Sequence, residues 1–397
     1  MDAVKKDTVL AVRAGRLFDG VRSFAPGTVL ISGGRIVDVD TTGATPPERA
    51  EVVDLGSGVC LLPGLIDAHV HLAFDASTDV VASIDSVDDE QLLAQMRQAA
   101  SRALRGGITT VRDLGDRGFL ALALREQLDA AGDPGPEIVA SGPPITIPGG
   151  HCHFLGGVVS GPQALRAAVR ERAERGCDVV KVMVSGGVLT PGSAVHESQY
   201  DLADLRLIVA EAHNLGLKTA AHVHACGSIA DAVTAGFDTL EHVTFITADG
   251  VAANPATMNA IVESGIVVSA TVGQVPGKGK PPPFVTRRLN AVIENWTQLH
   301  RCGARIVPGT DAGLSPIKPH DVLPYGLAGL TKLGMTNVEA LRAATSVAAD
   351  ACGLTGRKGR LIPGADADLL AVTGDPLVDI RAVHDVVAVF RAGRRVR

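Results

Sequence analysis

Between residues 62 and 353 the chain repeats one rhythm. A short apolar run of strand length is followed by a turn marked by Gly or Pro, then by a longer segment with helical spacing. Eight runs stand out: LIDAHVHL, ITTVRDL, EIVASG, DVVKVMVS, KTAAHV, DTLEHV, IVVSAT and RIVPGTD. Strands separated by helices pair in parallel, because the helix takes the return path, and eight such units fit a (β/α)₈ barrel of the TIM type. The intervening segments, among them VDDEQLLAQMRQAASRALRGG, GPQALRAAVRERAERG, LADLRLIVAEAHNLG and NVEALRAATSVAADACG, mostly end on Gly, as helix C-caps do. GKGKPPPF (277–284) reads as an exposed loop and a candidate lid.

Both ends of the chain have a different texture. TVLAVRAGRLFDG, GTVLISGGRIVDVD and AEVVDLGSGVCLLPG near the start, and ADLLAVTGDP and VHDVVAVFRAGRRVR near the end, alternate in the strand manner and turn at Gly or Pro. One small β domain built from residues 1–60 and 355–397 is expected beside a barrel of residues 61–354. Aromatic residues are only 3%, so Val, Leu, Ile and Ala must fill the core. A net charge of −6 gives no support to a nucleic-acid or anionic-membrane partner. No run approaches the roughly 18–20 apolar residues of a membrane span. The opening stretch, broken by Arg13 and Arg16, does not read as a signal peptide. The six cysteines form no C-x-x-C pair and read as reduced thiols of a cytoplasmic protein.

Function in such a barrel gathers where the strands end. His69 and His71 close the first strand, Lys181 lies in the fourth, His222 ends the fifth, His242 the sixth and Asp311 the eighth. Residues i and i+2 of a strand share a face, so both imidazoles of His69-Val70-His71 can look inward and suit a borderline-soft ion such as zinc. A lysine in the apolar run DVVKVMVS is costly as a buried ammonium. Burial lowers its pKa and exposes an amine that can take up carbon dioxide, giving an anionic carbamate able to bridge two cations. Each residue alone has a plainer reading: a snorkelling lysine, a hydrogen-bonded histidine pair, a helix-capping aspartate. His224 reads as a support behind the ligands or as a loop residue, and alternation places Glu241 on the face opposite His242. Together, the ends of five strands specify a metal site.

PGLIDAHVHL, KVMVSGGV, AAHVHA, LEHV and PGTDAG, in this order, resemble the amidohydrolase superfamily, and within it the subgroup whose binuclear centre is bridged by a carboxylated lysine. The similarity spans nearly the whole chain. GRLFDG and ADLLAVTGDPLVDI are similar to the two halves of the composite β-sandwich of such enzymes. KVMVSGGVLTPGS with ESQYDLADLRLIVAEAH is most like the dipeptidase cluster related to imidazolonepropionase, which includes prolidase-like enzymes and carboxypeptidases acting on Xaa-Pro or Xaa-Arg/Lys peptides. The resemblance implies that His69, His71 and Asp311 bind the more buried ion and His222 and His242 the other. Lys181 as N6-carboxylysine would bridge them. His151, in ITIPGGHCHFLGG, matches a histidine that contacts substrate or oxyanion; His153 and His196 have no assigned role. The run HVHACGS departs from the family's usual substrate-holding pattern after the fifth strand.

The expected chemistry is amide hydrolysis by a hydroxide shared between two divalent ions, with Asp311 moving the proton. The partner is a small dipeptide, N-acyl amino acid or cyclic amide, and self-association into a homo-oligomer is left open. Two alternatives stand: a mononuclear deaminase or imidazolone-type ring hydrolase, which lacks the bridging lysine, and an inactive barrel that serves as an interaction scaffold.

Overall fold

The computed structural model describes residues 9–132 and 135–397. The first eight residues, on which the expectation that the opening stretch is not a signal peptide partly rests, lie outside the described residues.

The eight expected runs are the eight parallel strands of a barrel. They are β1 (Leu65–Val70), β2 (Ile108–Asp113), β3 (Glu137–Ala140), β4 (Val179–Met183), β5 (Lys218–Ala225), β6 (Thr239–Ile246), β7 (Val267–Ala270) and β8 (Arg305–Pro308). Regular ladders join β1 through β3 and β4 through β8. The two remaining seams close just past the strands, at the level of the candidate site. Ile145, beyond β3, donates from its N–H to the Lys181 carbonyl, and its own carbonyl accepts from Met183, both at 2.8 Å. Beyond β8, Asp311 donates from N to the His69 carbonyl at 2.8 Å, and His71 donates to that of Ala312 at 3.0 Å. Barrel closure and site assembly thus use the same backbone.

The lower barrel is apolar. Ile66, Val139, Val179, Ala220, Val267 and Val307 pack on Ala348 and Ala349 of the helix Ser346–Ala351, which plugs that end. This helix corrects one expectation. The segment 337–353 is two helices, Asn337–Ala343 and Ser346–Ala351. They part at Thr345, whose hydroxyl donates to the Leu341 carbonyl at 2.6 Å, the back-bonding by which Thr competes with helix continuation. In the candidate lid, Lys278 and Lys280 are exposed, but Pro283 already opens the helix Pro283–Arg301.

Residues from both ends of the chain build a β-sandwich. A four-stranded sheet faces a six-stranded one in which Val59–Pro63 pairs antiparallel with Leu369–Thr373, across a core that includes Val12, Val29, Leu61, Leu369 and Phe390. The buried Lys358 ammonium ties this region to the foot of β3, lying 2.6–2.9 Å from Asp368, Asp366 and Glu137. A cavity of about 770 Å³ opens there, at the strand N-termini. Its size does not make it the reaction site, because the histidines converge at the opposite face. Among the described residues no helix is long and apolar enough to cross a membrane. All six cysteines are free, four of them buried.

Candidate active site

His69, His71, Lys181, His222, His242 and Asp311 are all buried, none more than 8% exposed. They fall into two adjacent sets. His69, His71 and Asp311 form one group able to hold a metal ion; His222, His224 and His242 form another. In the first, His69 Nε2 lies 3.4 Å from His71 Nε2, and Asp311 Oδ1 lies 3.6 and 3.4 Å from the same two atoms. In the second, His222 Nδ1 lies 3.0 Å from His242 Nε2.

The outer nitrogens decide what the inner ones can do. His71 Nδ1 donates to the Gly115 carbonyl at 2.9 Å, and His69 Nδ1 faces Glu241 Oε2 at 3.0 Å in an oblique approach. A neutral imidazole has one proton, so each Nε2 is bare. Two imidazole lone pairs and a carboxylate oxygen therefore converge with no proton among them, an arrangement that repels itself until a cation lies between. His222 is set similarly, with Nε2 donating to the Gly186 carbonyl at 3.2 Å and Nδ1 left for the site. Burial keeps these rings neutral: it depresses His69 to about 4 and pushes His222 and His242 well below the usual histidine range. Neutral imidazole with its far nitrogen hydrogen-bonded is the ligand state of histidine.

Lys181 is 1% exposed, and its Nζ has no hydrogen-bond partner among the described residues. Burial lowers it to about 8, against the pull of Glu241 and Asp311. Its charge acts on His69, His222, His242 and Asp311, so it faces both groups.

Two departures from strand geometry build this convergence. His242 has φ +72° and Asp311 φ +58°, left-handed conformations that cost a non-glycine residue about 1–3 kcal/mol in sparsely populated regions. The turn at His242 overturns the expectation that Glu241 points away: both side chains enter the barrel. Glu241 is fully buried. Its Oε1 accepts from Arg112 at 3.0 Å and from the Thr239 hydroxyl at 2.8 Å. Burial would raise this carboxyl, but Arg112 and His69 outweigh that and hold it well below the usual range. Trp296 Nε1 donates to the His242 carbonyl at 2.8 Å and fixes the turn. Gly309 is required by contact: a Cβ there would stand 2.1 Å from Ser269 Oγ and 2.7 Å from His69 Cβ.

His151, from the loop after β3, reaches the second group, its ring centroid 4.6 Å from that of His222. Burial depresses it to about 3. Burial also works to raise Asp311, but the groups around it, His69 and His71 and then the Lys318 and Lys181 ammoniums, outweigh it and hold the carboxyl below its usual range. His224 is not a mere loop residue. Its ring stacks on His242 at 4.4 Å, with Nδ1 2.8 Å from Thr244 Oγ1. His153 and His196 are exposed and stand apart from both groups, the first with its ring against Phe154 and the second near Glu197. Sequence reasoning missed Arg112, Glu241, Thr190, Gln199 and His320, the last of which holds the His71 carbonyl at 3.1 Å. Arg112 carried a signal, as a second charge in an apolar strand that calls for an opposite partner.

The fold and these side chains define a class: a (β/α)₈-barrel hydrolase with two groups able to hold metal ions at the C-terminal strand ends. Residues 60–396 match the amidohydrolase family, and the chain belongs to it, an enzyme that hydrolyses amide bonds. The ochratoxinase of Aspergillus niger is 27% identical over 372 residues, covering 83% of this chain and 73% of that protein. Among solved structures, an Xaa-Pro dipeptidase with bound methionine superposes with a TM-score of 0.87 at 27% identity, over 98% of this chain and 100% of that one. A prolidase complexed with N-methylphosphonate-L-proline gives 0.85 at the same identity and coverage.

Proposed function

We propose that the protein hydrolyses the amide bond of a dipeptide, an N-acyl amino acid or a cyclic amide, using two divalent ions, zinc by the donor set. His69, His71 and Asp311 would hold one ion, His222 and His242 the other, and Lys181, as its carbamate, both. The observation that carries this reading is the convergence of bare His69 Nε2, His71 Nε2 and Asp311 Oδ1 beside a buried lysine amine with no partner. Such a cluster of acceptors is unfavourable unless cations occupy it, and an amine turned carbamate supplies the oxygens that hard and borderline cations need. Bound there, the ions would supply Lewis acidity, acidifying a shared water and polarising the substrate carbonyl.

The chain's own residues do the rest. Ionised Asp311 takes the water's proton and delivers it to the leaving nitrogen, without which an amide cannot depart. His151, neutral beside His222, donates to the carbonyl oxygen as negative charge grows there. His224, its Nδ1 held near Thr244, stacks on His242 beside them. The prolidase and dipeptidase likenesses favour a substrate with a free carboxylate. Four buried thiols and two more exposed ones, none paired, fit a reducing cytoplasm.

A panel of dipeptides, N-acyl amino acids, lactams and imides tests the substrate class on zinc-loaded protein. Turnover of one of these amides is expected. Turnover confined to lactones or phosphoesters would contradict the assignment, since those centres yield to the same attack.

A further inference from the structure

We infer that Thr190, in the loop after β4, fixes the single proton of His151 on Nε2 and so makes that ring a neutral donor to the substrate's carbonyl oxygen. Only the catalytic consequence rests on the amide-hydrolase reading; the proton's position does not.

Thr190 is 4% exposed and His151 5%. Thr190 Oγ1 accepts from the backbone N–H of Cys152 at 2.9 Å, and a peptide N–H has no other role. The hydroxyl's own proton then needs an acceptor in a place water does not reach. The one other hydrogen-bond partner of that oxygen among the described residues is His151 Nδ1, at 3.1 Å. Were Nδ1 protonated, two N–H donors would meet on one oxygen and the hydroxyl proton would be stranded, which buried groups avoid. Nδ1 is therefore the acceptor, and the ring's proton lies on Nε2.

The rest of the pocket holds that N–H in place. The His151 backbone N–H donates to Gln199 Oε1 at 2.6 Å, and Gln199 Nε2 is anchored on the Met183 carbonyl at 2.7 Å and on Thr146 Oγ1 at 3.1 Å. Gly187 lies against the ring: a Cβ there would come within 2.3 Å of Nε2, so any other residue would displace it. Nε2 itself has no hydrogen-bond partner among the described residues, so its proton is free for a ligand beside His222. A donor fixed before the charge develops costs no reorganisation during reaction. Thr190 thus acts as a positioning residue, through His151.

Selective ¹⁵N-histidine labelling of the zinc-loaded chain tests this directly. Long-range ¹H–¹⁵N correlations distinguish the two tautomers, and the His151 signal is the one missing from His151→Gln. Wild type and Thr190→Ser are expected to show the Nε2–H pattern, and Thr190→Val to lose it. A phosphonate analogue of a dipeptide should then bind Thr190→Val about 10–100-fold more weakly, the usual weight of outer-shell orientation. Thr190→Ser should restore binding at unchanged zinc content. In turnover the loss should fall on kcat, with KM within about twofold, because the contact strengthens only as charge develops. An Nδ1–H pattern in the wild type, or an unchanged pattern in Thr190→Val, overturns the inference. If the wild type shows Nε2–H but ignores the phosphonate, the amide reading fails while the assignment to Thr190 stands.

Discussion

Glu241 Oε2 stands 3.0 Å from His69 Nδ1, and the other oxygen of the same carboxylate is gripped by buried Arg112. The pair lies beneath the group of His69, His71 and Asp311 that is able to hold a metal ion, where burying two charges brings little net stability by itself. Its effect is on His69: an acceptor at Nδ1 draws the proton outward and frees Nε2.

Glu241→Gln should therefore weaken metal binding about 10–100-fold, as losing an outer-shell partner of a ligand typically does. It should also strand Arg112 and destabilise the fold by about 3–5 kcal/mol. Adding Arg112→Met should recover much of the stability and none of the metal affinity. Chelator competition and urea unfolding separate the two effects. Equal recovery of both would leave Glu241 a structural residue only.

Asp311→Asn keeps the shape and one ligand oxygen but removes the base. General acid–base help is worth about 10²–10⁴-fold, so kcat should fall by at least the lower figure while much of the metal stays. Near-normal turnover would move the proton transfer to another group, His151 first.

The metal-free protein should lose stability in acid. Burial holds His69, His224 and His320 at about 4 and His151 at about 3 in the folded chain, against about 6.5 when unfolded. Between pH 6.5 and 4 the unfolded chain binds protons that the folded chain refuses, so stability is fully present above about 6.5 and drains as the pH falls. Buried Asp67 and Asp113, raised to about 6, and Asp116, raised well above the usual carboxylate range, pull the other way but are outnumbered by the depressed histidines, which include His222 and His242. Thermal midpoints of chelator-treated protein should drop across this window and level off above it. A flat or rising midpoint would mean that the rings are charged in the fold.

The barrel was legible because parallel strands buried on both faces leave continuous apolar runs, and His69, His71, Lys181, His222, His242 and Asp311 each interrupt one. Alternation then misled at Glu241, because the left-handed turn at His242 brings consecutive residues to the same centre. Nothing local foretold that turn, which depends on Trp296, 54 positions away. Thr190 was equally hidden, a common residue in a Gly-rich loop, given meaning only by meeting His151 across 39 residues. The break at Thr345 reflects a competition between hydroxyl and helix that periodicity does not register.

Elemental analysis of wild type and Lys181→Ala, purified side by side without chelator, bears most directly on the two-ion centre. Close to two equivalents of divalent metal per chain are expected in the wild type. In Lys181→Ala metal and activity should be lost together, with partial return of both on adding a short carboxylate that replaces the bridging oxygens. A single fully occupied site in the wild type, with metal and turnover unchanged in Lys181→Ala, would contradict it.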